Sequence, residues 1–319
     1  MKRYLILVII FLSFCFKVNA QCCSAGNPFF YGEISSLSKK NLQFVAGYKF
    51  STSHIYYEGS KPIDIDFVDN AYFNYLTLQS IYGITQRLTV QADLGYFINK
   101  TETYLKDDWN TSNGYGLGDA TLIFKYLAYN NFKEHIQIIP SIGITLPIGV
   151  FDQEVDHVKL PITVQPSSGS FKYQASIYIN KGSNNGKFNY AIFGMYEYAK
   201  LIDSKNFYYK YGNQLLLSFL TSYKIGSKLS FALELRSENR AKSLRNDDQI
   251  VESSGFNIVY IIPHISYSFA NNWYLAVNSD IPVYKYYNGI QLSNTYSVSL
   301  RLSHKINLGK KDLSEYKPN

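Results

Sequence analysis

The stretch Leu229 to Glu238, LSFALELRSE, constrains the fold of this chain more than any other. Leu229, Phe231, Leu233 and Leu235 alternate with Ser230, Ala232, Glu234, Arg236 and Glu238, the period of two that belongs to an extended strand. One face presents only large aliphatic and aromatic groups. The other carries Glu234, Arg236 and Glu238 within five residues, and a dry core would have to desolvate all three charges. One side therefore meets something oily and the other meets water. A strand of a soluble sandwich can show the same alternation, so the choice between the two rests on repetition and spacing.

The pattern recurs in twelve segments: 42–57, 71–84, 88–98, 119–126, 136–146, 171–179, 188–199, 211–223, 229–238, 256–269, 273–283 and 296–306. Tight connections at Thr85 to Arg87, Asn130 to Glu134, Gly182 to Gly186, Lys224 to Lys228 and Ala270 to Asn272 alternate with longer polar ones. The longer ones are Glu58 to Asn70, Asn99 to Tyr115, Gly149 to Ser168, Lys200 to Lys210, Asn239 to Ser254 and Lys285 to Ser293. An even number of strands, about ten residues each, joined by hairpins alternately short and long, is the pattern of an outer-membrane barrel. No soluble sandwich requires that asymmetry, and Pro140 counts against a central soluble strand. The expectation is an all-β, transmembrane, up-and-down antiparallel β-barrel of about 12 strands over 41–308. Short turns then lie on the periplasmic side, with both termini, in the outer membrane of a diderm bacterium. Its lipid and lipopolysaccharide are the expected surroundings. Tyr48, Tyr56, Tyr96, Tyr126, Tyr198, Tyr223 and Trp273 are candidates for interfacial girdles, rings in lipid and polar tips among headgroups.

Composition agrees. Aromatic residues make up 17% of the chain, while a mean hydropathy of −0.15 is too polar for a helical membrane protein. Lys2 and Arg3, the apolar run Tyr4 to Phe16 and the small-residue site ending at Ala20 read as a secretory signal peptide over 1–20. The net charge of +7 falls by three when Lys2, Arg3 and Lys17 leave with it. A mild excess scattered along the chain leaves no nucleic-acid footprint. Residues 21–40 show no sustained period and read as a periplasmic lead-in or plug, and 309–319 as a polar tail. Cys22 and Cys23 are adjacent and can close only a strained ring, so no disulfide framework is present. Nothing in the sequence specifies a cofactor or an oligomeric state.

In this register Asp93, Asp119, Lys125, Lys172, Glu234, Arg236, Glu238, Asp280, Arg301 and Lys305 point inward. On the lipid face each would cost ~2 to 4 kcal/mol near the midplane. As lumen-lining candidates Asp93, Asp119, Lys125, Glu234, Arg236, Asp280 and Arg301 stand either for a salt-bridged filling or for a permeation path whose charges tune what passes. Asp152, Glu154, Asp156 and His157 lack the glycine-centred spacing of a calcium loop and read as solvated, so no metal site is expected. His264, Ser266 and Asn278 resemble the His-x-Ser then Asn arrangement of outer-membrane phospholipase A. That family's flanking glycine and arginine pattern is missing, however, and the three fall on the lumen face. No catalytic residue is assigned.

GYGLGDATLIFKY (Gly114 to Tyr126) and PSIGITLPIGV (Pro140 to Val150) resemble phrases of the meta-pathway phenol-degradation family of outer-membrane transporters. So do YGITQRLTVQADLGY (Tyr82 to Tyr96), SGFNIVYIIPHISYSF (Ser254 to Phe269) and DIPVY (Asp280 to Tyr284). The phrases keep the family's order across most of the barrel and are mostly structural, with Gly118 and Gly149 expected to permit tight backbone geometry at strand ends. The resemblance implies a channel or transporter for small molecules, with hydrophobic or aromatic compounds as substrates. The alternative from the residues themselves is a structural or adhesive barrel with a plugged lumen, and behind it a phospholipase-like hydrolase.

Overall fold

The computed structural model describes residues 35–65, 68–104, 111–204, 207–245 and 248–309. The expected signal peptide, Cys22, Cys23, most of the lead-in and the tail beyond residue 309 lie outside the described residues.

Ten strands run in chain order: β1 (Asn41–Gly59), β2 (Val68–Gly83), β3 (Leu88–Tyr104), β4 (Thr111–Tyr126), β5 (Ile136–Leu146), β6 (Lys172–Gly182), β7 (Phe188–Ala199), β8 (Gln214–Ile225), β9 (Leu229–Arg240) and β10 (Phe256–Ala270). Each pairs antiparallel with the next, including β5 with β6 from Thr145↔Lys172 to Ile136↔Lys181. The last element, Trp273–Asn307, is 35 residues long. It pairs with β10 through residues 273–287 and with β1 through residues 287–307, so the sheet closes on itself. A single straight strand of that length would run about 115 Å at ~3.3 Å per residue, several times a ~30 Å hydrocarbon core. The chain instead reverses at Gly289, where φ is +56°, and Ser279 Oγ reaches the carbonyl of Ser297 at 3.0 Å. We number its arms β11 (273–287) and β12 (290–307). The ring thus consists of eleven continuous elements, and the hairpin in the last supplies the twelfth stave.

The two faces differ as the alternation requires. On β9, Leu233 and Leu235 are 50% and 51% exposed while Glu234, Arg236 and Glu238 are buried. Leu76, Leu78, Leu94, Ile98, Ile142, Leu217, Ile265 and Val277 continue the apolar surface around the barrel. A belt of that extent on a soluble monomer would drive aggregation; against acyl chains it is at rest. The barrel is transmembrane.

Several stretches expected as loops are strand. β1 continues to Gly59, β3 to Tyr104, and β4 begins at Thr111; within 285–293 both arms of the last hairpin are strand up to the turn at Gly289. These extensions carry polar groups on both faces, as at Thr101, Glu102, Ser112 and Asn113, so the alternation that marks a membrane stave fades where the sheet rises clear of lipid. Part of 200–210 and 239–254 is ordered too: Ile202–Ser204, Phe207–Lys210, Leu244–Arg245 and Gln249–Ile250 make a separate four-stranded sheet at the same end. Tyr56 is a correction to the girdle. Register shifts between Thr52 and Ile55 turn it off the lipid face, and it packs instead on Val68, Ala71 and Leu292. Tyr96, Tyr126, Tyr198 and Tyr223 are exposed on the outer surface, and Trp273 stacks on His304 with ring centroids 4.2 Å apart.

Candidate functional site

Two cavities lined by described residues lie in the lumen, one toward each end. The lower, on the side of the tight turns, has a volume of about 330 Å³ and is lined by Lys49, Glu234, Arg236, His264, Asp280 and Arg301 among others. Alternation on β1, β9, β10, β11 and β12 aims all six inward, and mutual pairing lets them stay there. Asp280 stands 2.9 Å from Lys49 Nζ and 3.1 Å from Arg236 Nη2. The same guanidinium lies 2.9 Å from Glu238 and 3.8 Å from Glu234, and 5.2 Å from the centre of the Tyr260 ring. Glu234 in turn accepts from Ser218 Oγ at 2.8 Å and lies 3.1 Å from His264 Nε2. Groups this buried are held by one another, because any one left alone would bear a large desolvation cost.

Of the seven lumen candidates, Glu234, Arg236, Asp280 and Arg301 meet in this cavity. Asp93 and Lys125 face inward on β3 and β4, where both carboxylate oxygens of Asp93 accept from Gln91 Nε2 at 2.8 Å. Lys125 feels the charge of Asp93 and reaches the carbonyl of Ser35 at 3.5 Å. That carbonyl belongs to the lead-in, whose described end enters the mouth. Leu37 packs on Val45 and Ile81, its N–H donating to Thr89 Oγ1 at 2.9 Å and its carbonyl accepting from the same hydroxyl at 3.2 Å.

Asp119 has a different task. The connection between β5 and β6, expected to lie outside, folds down into the upper lumen, and Asp119 holds it. Its carboxylate accepts from Ser167 Oγ and Ser168 Oγ at 2.5 Å each and from the Ser168 N–H at 3.2 Å. Lys100 Nζ donates to the carbonyl of Gln165 at 3.0 Å, and the buried Gln165 side chain ties Gln153 and Leu160 into the same loop. Gly114 makes room for it: a Cβ there would stand 1.9 Å from the carbonyl oxygen of Val164. At Gly149 a Cβ would meet the carbonyl of Leu117 at 2.2 Å, as a tight strand end requires, whereas Gly118 has ordinary clearance and a Cβ would fit.

Under this loop lies the upper cavity, about 120 Å³, walled by Phe73, Tyr75, Phe97, Phe256, Ile258 and Tyr260 and edged by Lys100, Asp119, Lys172, Glu238 and Arg240. Phe73 stands edge-on to Phe97, centroids 5.7 Å apart, and Tyr75 covers Gly95, where any Cβ would strike its hydroxyl. The inward rings, Lys49, Lys100, Arg240 and, Asp119 apart, the loop anchors were not singled out from sequence. The run Ile258 to Ile262 was the available signal, since an apolar stave on both faces is one buried on both faces.

The enzyme-like trio does not assemble. His264 and Asn278 are register partners, but His264 faces Glu234, Ser266 Oγ is 2.6 Å from Ser230 Oγ, and Asn278 donates to Asp280 at 3.3 Å. All three lie inside, away from acyl chains. Among the described residues no group of His, Cys, Asp or Glu is placed to hold a metal ion.

These features define a transmembrane barrel of the outer-membrane type. Among solved structures, the chain is similar to an outer-membrane channel from Pseudomonas putida F1, at 15% identity and a TM-score of 0.69 over 87% of this chain and 100% of that one. The KdgM porin aligns at 8% identity and TM-score 0.47, over 82% of this chain and 98% of that one. The NanC porin aligns at 13% and 0.45, over 82% and 97%. No protein-family model and no curated protein matches the sequence.

Proposed function

We propose that this barrel is an outer-membrane channel for small molecules, its tight turns and termini in the periplasm and its long connections outside. The observation that carries this reading is the stacking of two lined cavities along one lumen, one under the inward loop and one above the lead-in. A barrel built as a scaffold could fill that space with apolar side chains, as small barrels do. This one keeps its interior charged, and bears the cost of desolvating those charges. The resemblance to phenol-degradation transporters and the ring-lined upper cavity favour hydrophobic or aromatic cargo. The likeness to the Pseudomonas putida channel concerns the fold.

A closed structural barrel is the second reading, favoured by the two segments that enter the lumen from opposite ends. Single-channel recording of the refolded full chain separates the two. Discrete conductance steps are expected, larger after deletion of Cys22 to Ser38, which removes Leu37 from the mouth. Silent bilayers from both proteins would rule out the channel.

A further inference from the structure

We infer that the rim at the tight-turn end binds an acidic glycerophospholipid, its phosphate set among Lys187, Lys224 and Lys228 and its acyl chains laid on the rings of Phe188 and Tyr223. The inference rests on the membrane-spanning barrel and goes beyond transport, holding whether or not the lumen conducts. The tight turns are strongly basic. Arg87, Lys133, Lys181, Lys187, Lys224 and Lys228 lie in or beside them, all exposed, and Lys39 and Lys40 add two more where the lead-in meets β1. Among the described residues the one carboxylate in these turns is Glu134, 4.0 Å from Lys181. The opposite end mixes its signs. Asp152, Glu154 and Asp156 accompany Lys159 in the β5–β6 connection, and Lys242 pairs with Glu252.

The cations converge where β7, β8 and β9 meet. Phe188 is the register partner of Tyr223, their ring centroids stand 4.8 Å apart, and both rings are exposed on the outer surface. Lys187 and Lys224 are the next opposed positions, the Lys224 N–H donating to the Lys187 carbonyl at 2.8 Å. Lys228 adds a third ammonium at the close of the same turn, in which Gly226 takes a φ of +62°. Like charges directly opposed on neighbouring strands repel, and among the described residues none of the three lysines pairs with a carboxylate. A phosphate seated between them relieves that repulsion and is attracted by all three, the ammonium being a compact point charge suited to it. The two rings mark the edge of the apolar belt, where aromatic side chains meet headgroups. An anion at that height therefore belongs to a molecule whose tails already lie along the wall. A zwitterionic headgroup brings its own cation to the same place and forgoes the net attraction. In the orientation proposed above, the bound lipid lies in the periplasmic leaflet.

The test is native mass spectrometry of the refolded full chain in a nonionic detergent, titrated with phosphatidylglycerol and with phosphatidylcholine of the same acyl chains. Phosphatidylglycerol should be retained at least about tenfold tighter, with the advantage shrinking as ammonium acetate rises from about 0.1 to about 1 M and the Debye length falls from ~10 to ~3 Å. Lys187→Gln, Lys224→Gln and Lys228→Gln together should bring phosphatidylglycerol to the phosphatidylcholine level and leave phosphatidylcholine retention intact, the latter showing that the barrel has folded. A control with the same change of charge, Lys39→Gln, Lys40→Gln and Arg87→Gln, should keep the preference. Equal wild-type retention of the two lipids, or a triple variant that keeps the preference, would overturn the inference. So would a control that loses it as fully, since the effect would then be one of net charge. Inorganic phosphate in molar excess should leave the lipid in place; its displacing the lipid would make this a site for free phosphate, and tighter retention of lipid A would refute the choice of lipid. Binding in detergent reads neither conductance nor orientation, so failure here leaves the channel reading as it stands.

Discussion

Replacing Arg236 by methionine removes the cation that three buried carboxylates share. The consequences are unequal. Asp280 retains Lys49 at 2.9 Å, and Glu234 retains His264 and the Ser218 hydroxyl. Glu238, 1% exposed, loses the guanidinium nitrogen 2.9 Å away and stays charged in a dry place. Breaking a buried pair from one side costs about 3 to 5 kcal/mol, a factor on the order of 10² to 10⁴ in the unfolding constant at 1.36 kcal/mol per decade. Arg236→Met with Glu238→Gln removes both ends and should recover most of that loss, because the stranded charge is gone. The coupling between the two substitutions should then reach at least about 2 kcal/mol, within the range for residues in one network. Reversible urea unfolding in lipid vesicles, followed by tyrosine and tryptophan fluorescence, measures all four corners of the cycle. A single variant within about 0.5 kcal/mol of wild type, or a cycle whose terms simply add, would show that these groups are solvated and that the lumen at this height is wet.

Two further outcomes test orientation. Leu233→Arg places a guanidinium against lipid at a cost of ~2 to 4 kcal/mol near the midplane and should lower the refolding yield, whereas Ser230→Arg, on the lumen face of β9, should assemble nearly as wild type; equal yields would refute the face assignment. In a background with Cys22 and Cys23 changed to serine, Lys159→Cys should react with an impermeant maleimide on intact cells and Asn184→Cys only after the outer membrane is opened, and labelling of Asn184→Cys in intact cells would invert the barrel.

The membrane staves were legible because each faces two solvents. Where lipid lies on one side and the lumen on the other, the residue types must alternate, and β9 writes that rule in ten letters. Legibility fails where the second solvent is missing. Above the membrane, Thr101 to Tyr104 and Thr111 to Asn113 are strand with polar groups on both faces, and composition alone reads them as loop. In the upper lumen the opposite failure occurs: Phe73, Tyr75 and Phe97 are inward on staves whose outward residues are also apolar, so the alternation has little contrast. β1 adds a third cause, since the shifts beyond Thr52 exchange the faces without any change in composition, and Tyr56 goes in where simple alternation sends it out. The candidate site divides in the same way. Glu234, Arg236, Asp280 and Arg301 meet as their register requires, but the anchoring of Asp119 depends on a loop returning into the barrel, which strand periodicity does not encode.

That return bears on how the lumen could open. The inward loop is fastened by polar contacts, two serine hydroxyls on Asp119 and the Gln165 carbonyl on Lys100, and by apolar packing, with Phe151 and Ile162 against Ala199, Ile202 and Tyr211 and with Leu160 and Val164 buried. Hydrogen bonds to charged groups contribute about 1.5 to 3 kcal/mol each, so a few of them fasten a loop without making its release prohibitive. The wall behind it is different: Asp119 stands on β4, which pairs with β3 and with β5, and the ladder must survive for the barrel to remain closed in lipid. Motion is therefore cheaper in the loop than in the stave that holds it. The Arg236 cluster lies below on β1, β9, β10 and β11, and none of its pairs involves the loop.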